Sequence, residues 1–174
     1  MIARKTELLA TAWDWVRPWS WLHRARWRGL LVFNYHPIGD PNNSPWDRAI
    51  WSASAEAFSE QVAYLKQHFD LLHPENLEQH FSRPSQRAIM LTFDDGYLDN
   101  YELAFPILRD AEVPATFFLT TGFLDDGLVP WWDEIAWMIH TSAQPQLEPG
   151  PWTGEALPLR EQSESAIHQL LTIY

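Results

Sequence analysis

Hydrophobic positions along this chain recur with two different periods. Leu30, Leu31, Val32, Phe33, Asn34 and Tyr35 form a short run rich in strand formers, which predicts a buried strand ending at His36 and Pro37. Residues 39–45 read as a loop. Phe58, Val62, Leu65 and Phe69 then recur at spacings of four, three and four, one face of a helix that Ser54 can cap. Residues 70–73 predict a brief strand, and Pro74 opens a short helix through Phe81. Residues 88–93 are the clearest buried strand. The helical stretch over about 98–109 must break or restart at Pro106. Residues 115–119 predict another strand, and 132–140 a helix with an acidic first turn at Asp133 and Glu134. A Pro-rich loop covers 144–158, and a last helix about 161–171. The alternation predicts an α/β fold with a mainly parallel sheet, in which sites lie at the carboxyl ends of strands.

Composition narrows the class. At 46% hydrophobic and 20% charged, the chain is globular rather than disordered. Its net charge of −11 argues against nucleic acid as the main partner, because phosphate binding needs a basic footprint. With no cysteine, disulfides, thiolate metal sites and Cys nucleophiles are excluded. The charge is unevenly spread. Residues 1–28 hold six basic side chains against Glu7 and Asp14, a net +4, and include Trp13, Trp15, Trp19, Trp21 and Trp27. Such a segment suits a membrane surface, here through residues 2–28, or packs its tryptophans on the body of the protein. No stretch is long enough to span a membrane, and the N-terminus lacks the pattern of a secretion signal, so localisation stays open.

Two strand ends carry candidate chemistry. The run over 88–93 leads straight into Asp94-Asp95-Gly96-Tyr97. Neighbouring carboxylates at a strand end can divide tasks, one binding a cation and the other taking a proton from water. The same tripeptide is ordinary turn chemistry, as in Asp125-Asp126-Gly127, which follows a loop and reads as a plain turn. His36 ends the first strand on the same rim as Asp94. It can bind metal or shuttle a proton, or simply be satisfied by loop hydrogen bonds. No two histidines have metal-ligand spacing, and a Ser nucleophile elbow, a phosphate-binding glycine loop and a dinucleotide fingerprint are absent.

Thr92-Phe93-Asp94-Asp95-Gly96-Tyr97, followed by Pro114-Ala115-Thr116-Phe117-Phe118-Leu119, resembles the polysaccharide deacetylase family. Asn34-Tyr35-His36-Pro37-Ile38 and Trp131-Trp132-Asp133-Glu134 extend the likeness to about residues 30–140. The resemblance implies a distorted (β/α) barrel that hydrolyses N-acetyl groups on amino-sugar polymers. Asp94 would be the general base and Asp95 a ligand of a divalent metal, usually zinc, which brings bound water to a pKa of about 7. His36 would lie near the site without a fixed role, and Trp131 and Trp132 could contact sugar.

The chain also departs from the family pattern. It lacks the two metal-binding histidines four residues apart and the later motifs, including the histidine that serves as general acid. A complete (β/α)₈ barrel takes roughly 200–250 residues or more, and four predicted strands cannot close one. The expectation is therefore α/β, an incomplete distorted (β/α) barrel. Residues 1–28 would be an extension, 29–142 the N-terminal part of the barrel, and 143–174 a Pro-rich loop and helix from a truncated insertion. The expected partners are an N-acetylated polysaccharide and a missing C-terminal segment or chain. The alternative is a non-catalytic module that binds carbohydrate or a membrane surface, with Trp131, Trp132 and Trp137 stacking on sugar.

Overall fold

The computed structural model describes residues 29–82, 87–151, 153–160 and 162–173. The basic Trp-rich segment 1–28, with the membrane contact expected of it, lies outside the described residues. Strand β1 (Gly29–Tyr35) leads to helix α1 (Ala55–His68), strand β2 (Asp70–Leu71) and helix α2 (Leu77–Phe81). Strand β3 (Arg87–Phe93), helix α3 (Phe105–Asp110), strand β4 (Thr116–Phe117) and helix α4 (Thr121–Asp125) follow. Helix α5 (Trp131–Thr141) and helix α6 (Ser163–Ile173) complete the helices. The fold is α/β. Among the described residues its main sheet has four parallel strands and does not close into a barrel.

β3 is the central strand. Along one edge it pairs with all of β1, from Gly29 opposite Arg87 to Tyr35 opposite Phe93. Its other edge is shared: β2 takes Ala88 and Ile89, and β4 takes Thr92 and Phe93. The Ile89 and Phe93 carbonyls, four residues apart, both point to that edge and accept from the Leu72 and Phe118 amides. Phe33 and Tyr35 of β1 and Ile89, Leu91 and Phe93 of β3 face one cluster with the helices. Tyr35 stacks on Phe93 at 5.3 Å, Phe93 on Phe117 at 4.7 Å, and Phe58 of α1 meets Tyr35 and Phe93 edge-on. Val62, Leu65, Ile89, Leu91, Ala104 and Leu108 complete this buried cluster.

Helix α1 follows its predicted start, with the Ser54 hydroxyl accepting from the Ala57 amide. Other expectations change. β1 is not buried along its length: among the described residues it lies at the sheet edge, and Val32 is 51% exposed. Pro106 does not break its helix. A π-turn over Asn100–Ala104 precedes α3, and the Phe105 amide bonds the Asn100 carbonyl five residues back. That wider turn absorbs the donor proline lacks. The strand expected over 115–119 shortens to β4. The Pro-rich loop contains an antiparallel pairing of β5 (Gln146–Leu147) with β6 (Leu157–Pro158). Asp125-Asp126-Gly127 forms the end of a helix rather than following a loop: Asp125 is the last residue of α4, Asp126 its cap, and Gly127, at φ +64, leaves it in the left-handed region.

Helices α5 and α6 build a second buried cluster from Ala136, Ile139, Leu157, Leu159, Ala166 and Ile167. His140 fastens it to the loop after β1, with Nδ1 2.9 Å from the Pro45 carbonyl and Nε2 3.1 Å from Glu164 Oε1. Arg48 reaches the same Glu164 oxygen at 3.2 Å. No helix among the described residues is long and apolar enough to cross a membrane.

Candidate active site

The carboxyl ends of β1 and β3 place Asn34, Asp94, Asp95 and His36 on one rim. Strand alternation puts Asn34, Thr92 and Asp94 on the face opposite the aromatic core. The Asp94 amide donates to the Tyr35 carbonyl at 3.0 Å, carrying the ladder one residue past β3. Thr92 Oγ1 donates to Asn34 Oδ1 at 2.8 Å, which leaves Asn34 Nδ2 to donate to Asp94 Oδ2, also at 2.8 Å. One carboxylate oxygen is thereby anchored to the sheet.

After Asp94 the backbone reverses through two consecutive left-handed residues, Asp95 at φ 71 and Gly96 at φ 77. The Gly96 amide folds back onto the Asp94 carbonyl at 2.9 Å. Glycine suits position 96 because of its positive φ, and a Cβ there would lie 2.9 Å from Leu119 Cδ2, which would have to shift. Burial pushes the Asp95 carboxyl above its ordinary value; His36 pulls it down and the Asp94 carboxylate adds to the rise. His36 thus lies close enough to act on Asp95 electrostatically. Its amide donates to Ser52 Oγ at 2.8 Å. With the buried Asn100 amide turned to satisfy both neighbours, its nitrogen donates to the His36 carbonyl at 3.0 Å and to Asp99 Oδ1 at 3.1 Å. Asp99 Oδ1 also accepts from the Ile38 amide. The π-turn that begins at Asn100 thus fixes the loop carrying His36.

A polar cluster flanks the carboxylate turn. Tyr97 donates its hydroxyl to Asp133 Oδ2 at 2.8 Å and accepts from Trp132 Nε1 at 2.9 Å. The other oxygen of Asp133 accepts from the Asp47 amide at 2.9 Å. Asp133 is 2% exposed, and burial raises its carboxyl against the lowering by its two donors. Trp132 is thereby tied to the site through Tyr97, while Trp131 stands 47% exposed and edge-on to Trp132. Sequence reasoning assigned no role to Asn34, Thr92, Tyr97 or Asp133. Only Asn34 carried a usable signal, its even spacing from His36 at the end of a strand.

A catalytic zinc takes about three protein ligands. Among the described residues no group of three or more His, Cys, Asp or Glu side chains is gathered to hold a metal ion. Asp95, with Asp94 and His36 nearby, does not amount to one. His140 is engaged by Pro45 and Glu164, away from this rim. The donor set present does not fit a resident metal.

Residues 82–144 match the polysaccharide deacetylase family model, and over that stretch the chain is similar to this family. Poly-beta-1,6-N-acetyl-D-glucosamine N-deacetylase of Staphylococcus aureus is 29% identical over 108 residues, 55% of this chain and 37% of that protein. YxkH of Bacillus subtilis is 46% identical over 37 residues, 21% of this chain and 13% of that protein. Among solved structures, IcaB from Ammonifex degensii superposes with a TM-score of 0.48 at 28% identity, over 55% of this chain and 40% of that one. The chain spans less than half the length of each of these relatives.

Proposed function

We propose that the chain carries the carboxylate part of a site that hydrolyses N-acetyl groups on an amino-sugar polymer. The observation that carries this reading is the anchored Asp94. It stands at the end of a buried parallel strand, with one oxygen held by Asn34 and the other open to take a proton from water. In the reaction, water oxygen adds to the acetamide carbonyl carbon as its proton passes to Asp94. The carbon–nitrogen bond then breaks, and the amine nitrogen takes up the proton that Asp94 accepted, which releases acetic acid and the free amine and restores the carboxylate. Asp95, turned out of the strand by its left-handed backbone, is in this reading one ligand of a divalent metal, zinc by resemblance. In this reading the described residues supply only part of the ligand set, and activity needs the remaining ligands. The likeness to the S. aureus enzyme makes poly-N-acetylglucosamine the first substrate to try.

The test joins the chain to whatever is encoded immediately downstream. The expected result is a histidine pair four residues apart in that segment. The extended protein should bind zinc and release free amine from N-acetylglucosamine oligomers, and lose both in Asp95→Ala. Asp94→Asn should lose amine release alone. A downstream sequence without the pair, or an extended protein that neither binds zinc nor releases amine, overturns the reading. The exposure of Trp131 supports a second reading, a carbohydrate-binding module. Tryptophan fluorescence that does not respond to chitin or glucan oligomers counts against it.

A further inference from the structure

We infer that Asp133 is a positioning residue: through Tyr97 it holds the Asp94–Asp95–Gly96 turn in place, and through the Asp47 amide it ties that turn to the loop after β1. The two contacts are 2.8 and 2.9 Å long. The direction of the Tyr97 hydroxyl is forced. Trp132 Nε1 can only donate, so the Tyr97 oxygen accepts from it and its hydrogen is left for Asp133. Asp133 in turn faces two donors, an O–H and an N–H, and neither comes from a cation. Only an acceptor-only side chain serves both. Asparagine would present an N–H to one of them and leave a buried donor without a partner.

The arrangement joins three segments distant in sequence. Asp47 lies in the loop after β1 and caps its own short turn by accepting from the Ala49 amide. Tyr97 directly follows Gly96. Asp133 lies in the first turn of α5, whose opposite end is fastened to Pro45 and Glu164 by His140. The loop and the turn both emerge from the carboxyl rim of the sheet, so one buried carboxylate sets their separation. The Asp94–Gly96 turn gains from such a brace, because Asp95 places a side-chain-bearing residue in the left-handed region, which is costly for the backbone to hold alone. The purpose of the held turn rests on the proposed roles of Asp94 and Asp95; the brace itself does not.

Amide hydrogen exchange on the purified chain tests this without any catalytic assay. The probe is the Gly96 amide, bonded to the Asp94 carbonyl. Asp133→Asn and Tyr97→Phe should each exchange Gly96 about tenfold faster, the scale of one lost hydrogen bond. The Leu91 amide within β3 should be unchanged. Asp133→Asn alone should also speed exchange at Asp47. A purely structural role predicts a different pattern, with Leu91 and Gly96 accelerating together as the whole chain loses stability. That pattern in both variants, or a Gly96 rate unchanged in Tyr97→Phe, overturns the inference. Faster exchange at Gly96 with no deacetylation by the extended protein would uphold the brace and sink the proposed activity.

Discussion

Comparing Asp95→Gly with Asp95→Ala isolates the backbone strain at the candidate site. Both variants remove the carboxylate, so its desolvation and its interactions with His36 and Asp94 cancel in the comparison. What remains is the Cβ at φ 71. A Cβ in the left-handed region costs about 1–2 kcal/mol. Glycine gives back about 0.4–1 kcal/mol of that through the greater freedom of its unfolded chain. The glycine variant should therefore be more stable than the alanine variant by about 0.5–1 kcal/mol, or about 2 °C in Tm for a chain of this size. Urea and thermal unfolding of the two proteins side by side measure the difference. Gly96→Ala should fall below both, since it adds a left-handed Cβ and a contact at 2.9 Å with Leu119. If the alanine variant matches or exceeds the glycine variant, position 95 does not hold this conformation, and the turn offered as the site's framework is wrong.

Three further outcomes follow from the packing and the buried charges. Phe58→Ala, at a fully buried position packed edge-on against Tyr35 and Phe93, should cost about 3–5 kcal/mol in urea unfolding. Ser54→Ala removes the cap on the Ala57 amide and should cost about 1 kcal/mol, with the α1 amides exchanging faster at its first turn. Burial raises the Asp47, Asp99 and Asp133 carboxyls above their ordinary 3.8. The folded chain therefore binds these protons more tightly than the unfolded chain. Their contribution is complete below about pH 3.8 and is lost as pH rises through the raised values. The urea midpoint should rise on mild acidification from neutral pH, and Asp133→Asn should flatten that rise.

The parts of the fold that could be read from the chain are those whose causes are local. Helix α1 announces itself because Ser54 and the Phe58, Val62, Leu65 series fix its start and buried face within fifteen residues or so. Strand β3 is legible for the same reason: its apolar run needs no partner to be recognised. The misread elements depend on distant neighbours. The apolar residues of β1 predict burial, yet Val32 is exposed because it shares with Asn34 the face turned away from the aromatic core, and which face is covered depends on distant elements. Proline chemistry predicts a break at Pro106. The π-turn that avoids one is held in place by Asn100, whose amide reaches back to the His36 carbonyl.

The candidate site divides along the same line. Asp94 and Asp95 stand out because a strand runs straight into them, and that is a local fact. Asp133 does not, because helix rules explain an acidic residue in a first turn completely when it is exposed. Its burial makes it informative, and the burial depends on Asp47, 86 residues earlier, and Tyr97, 36 residues earlier. Asn34 lies between these cases. Alternation along β1 turns it away from the Tyr35 core, and the parallel register then sets it beside Thr92, with Asp94 next along the same face. A polar residue in an otherwise apolar strand, two positions before a strand-end histidine, was therefore visible in the chain. Its partner became visible only once the register was known. The residues proposed to act on substrate are thus set by local sequence, and those that hold them in place are set by how the strands and helices come together.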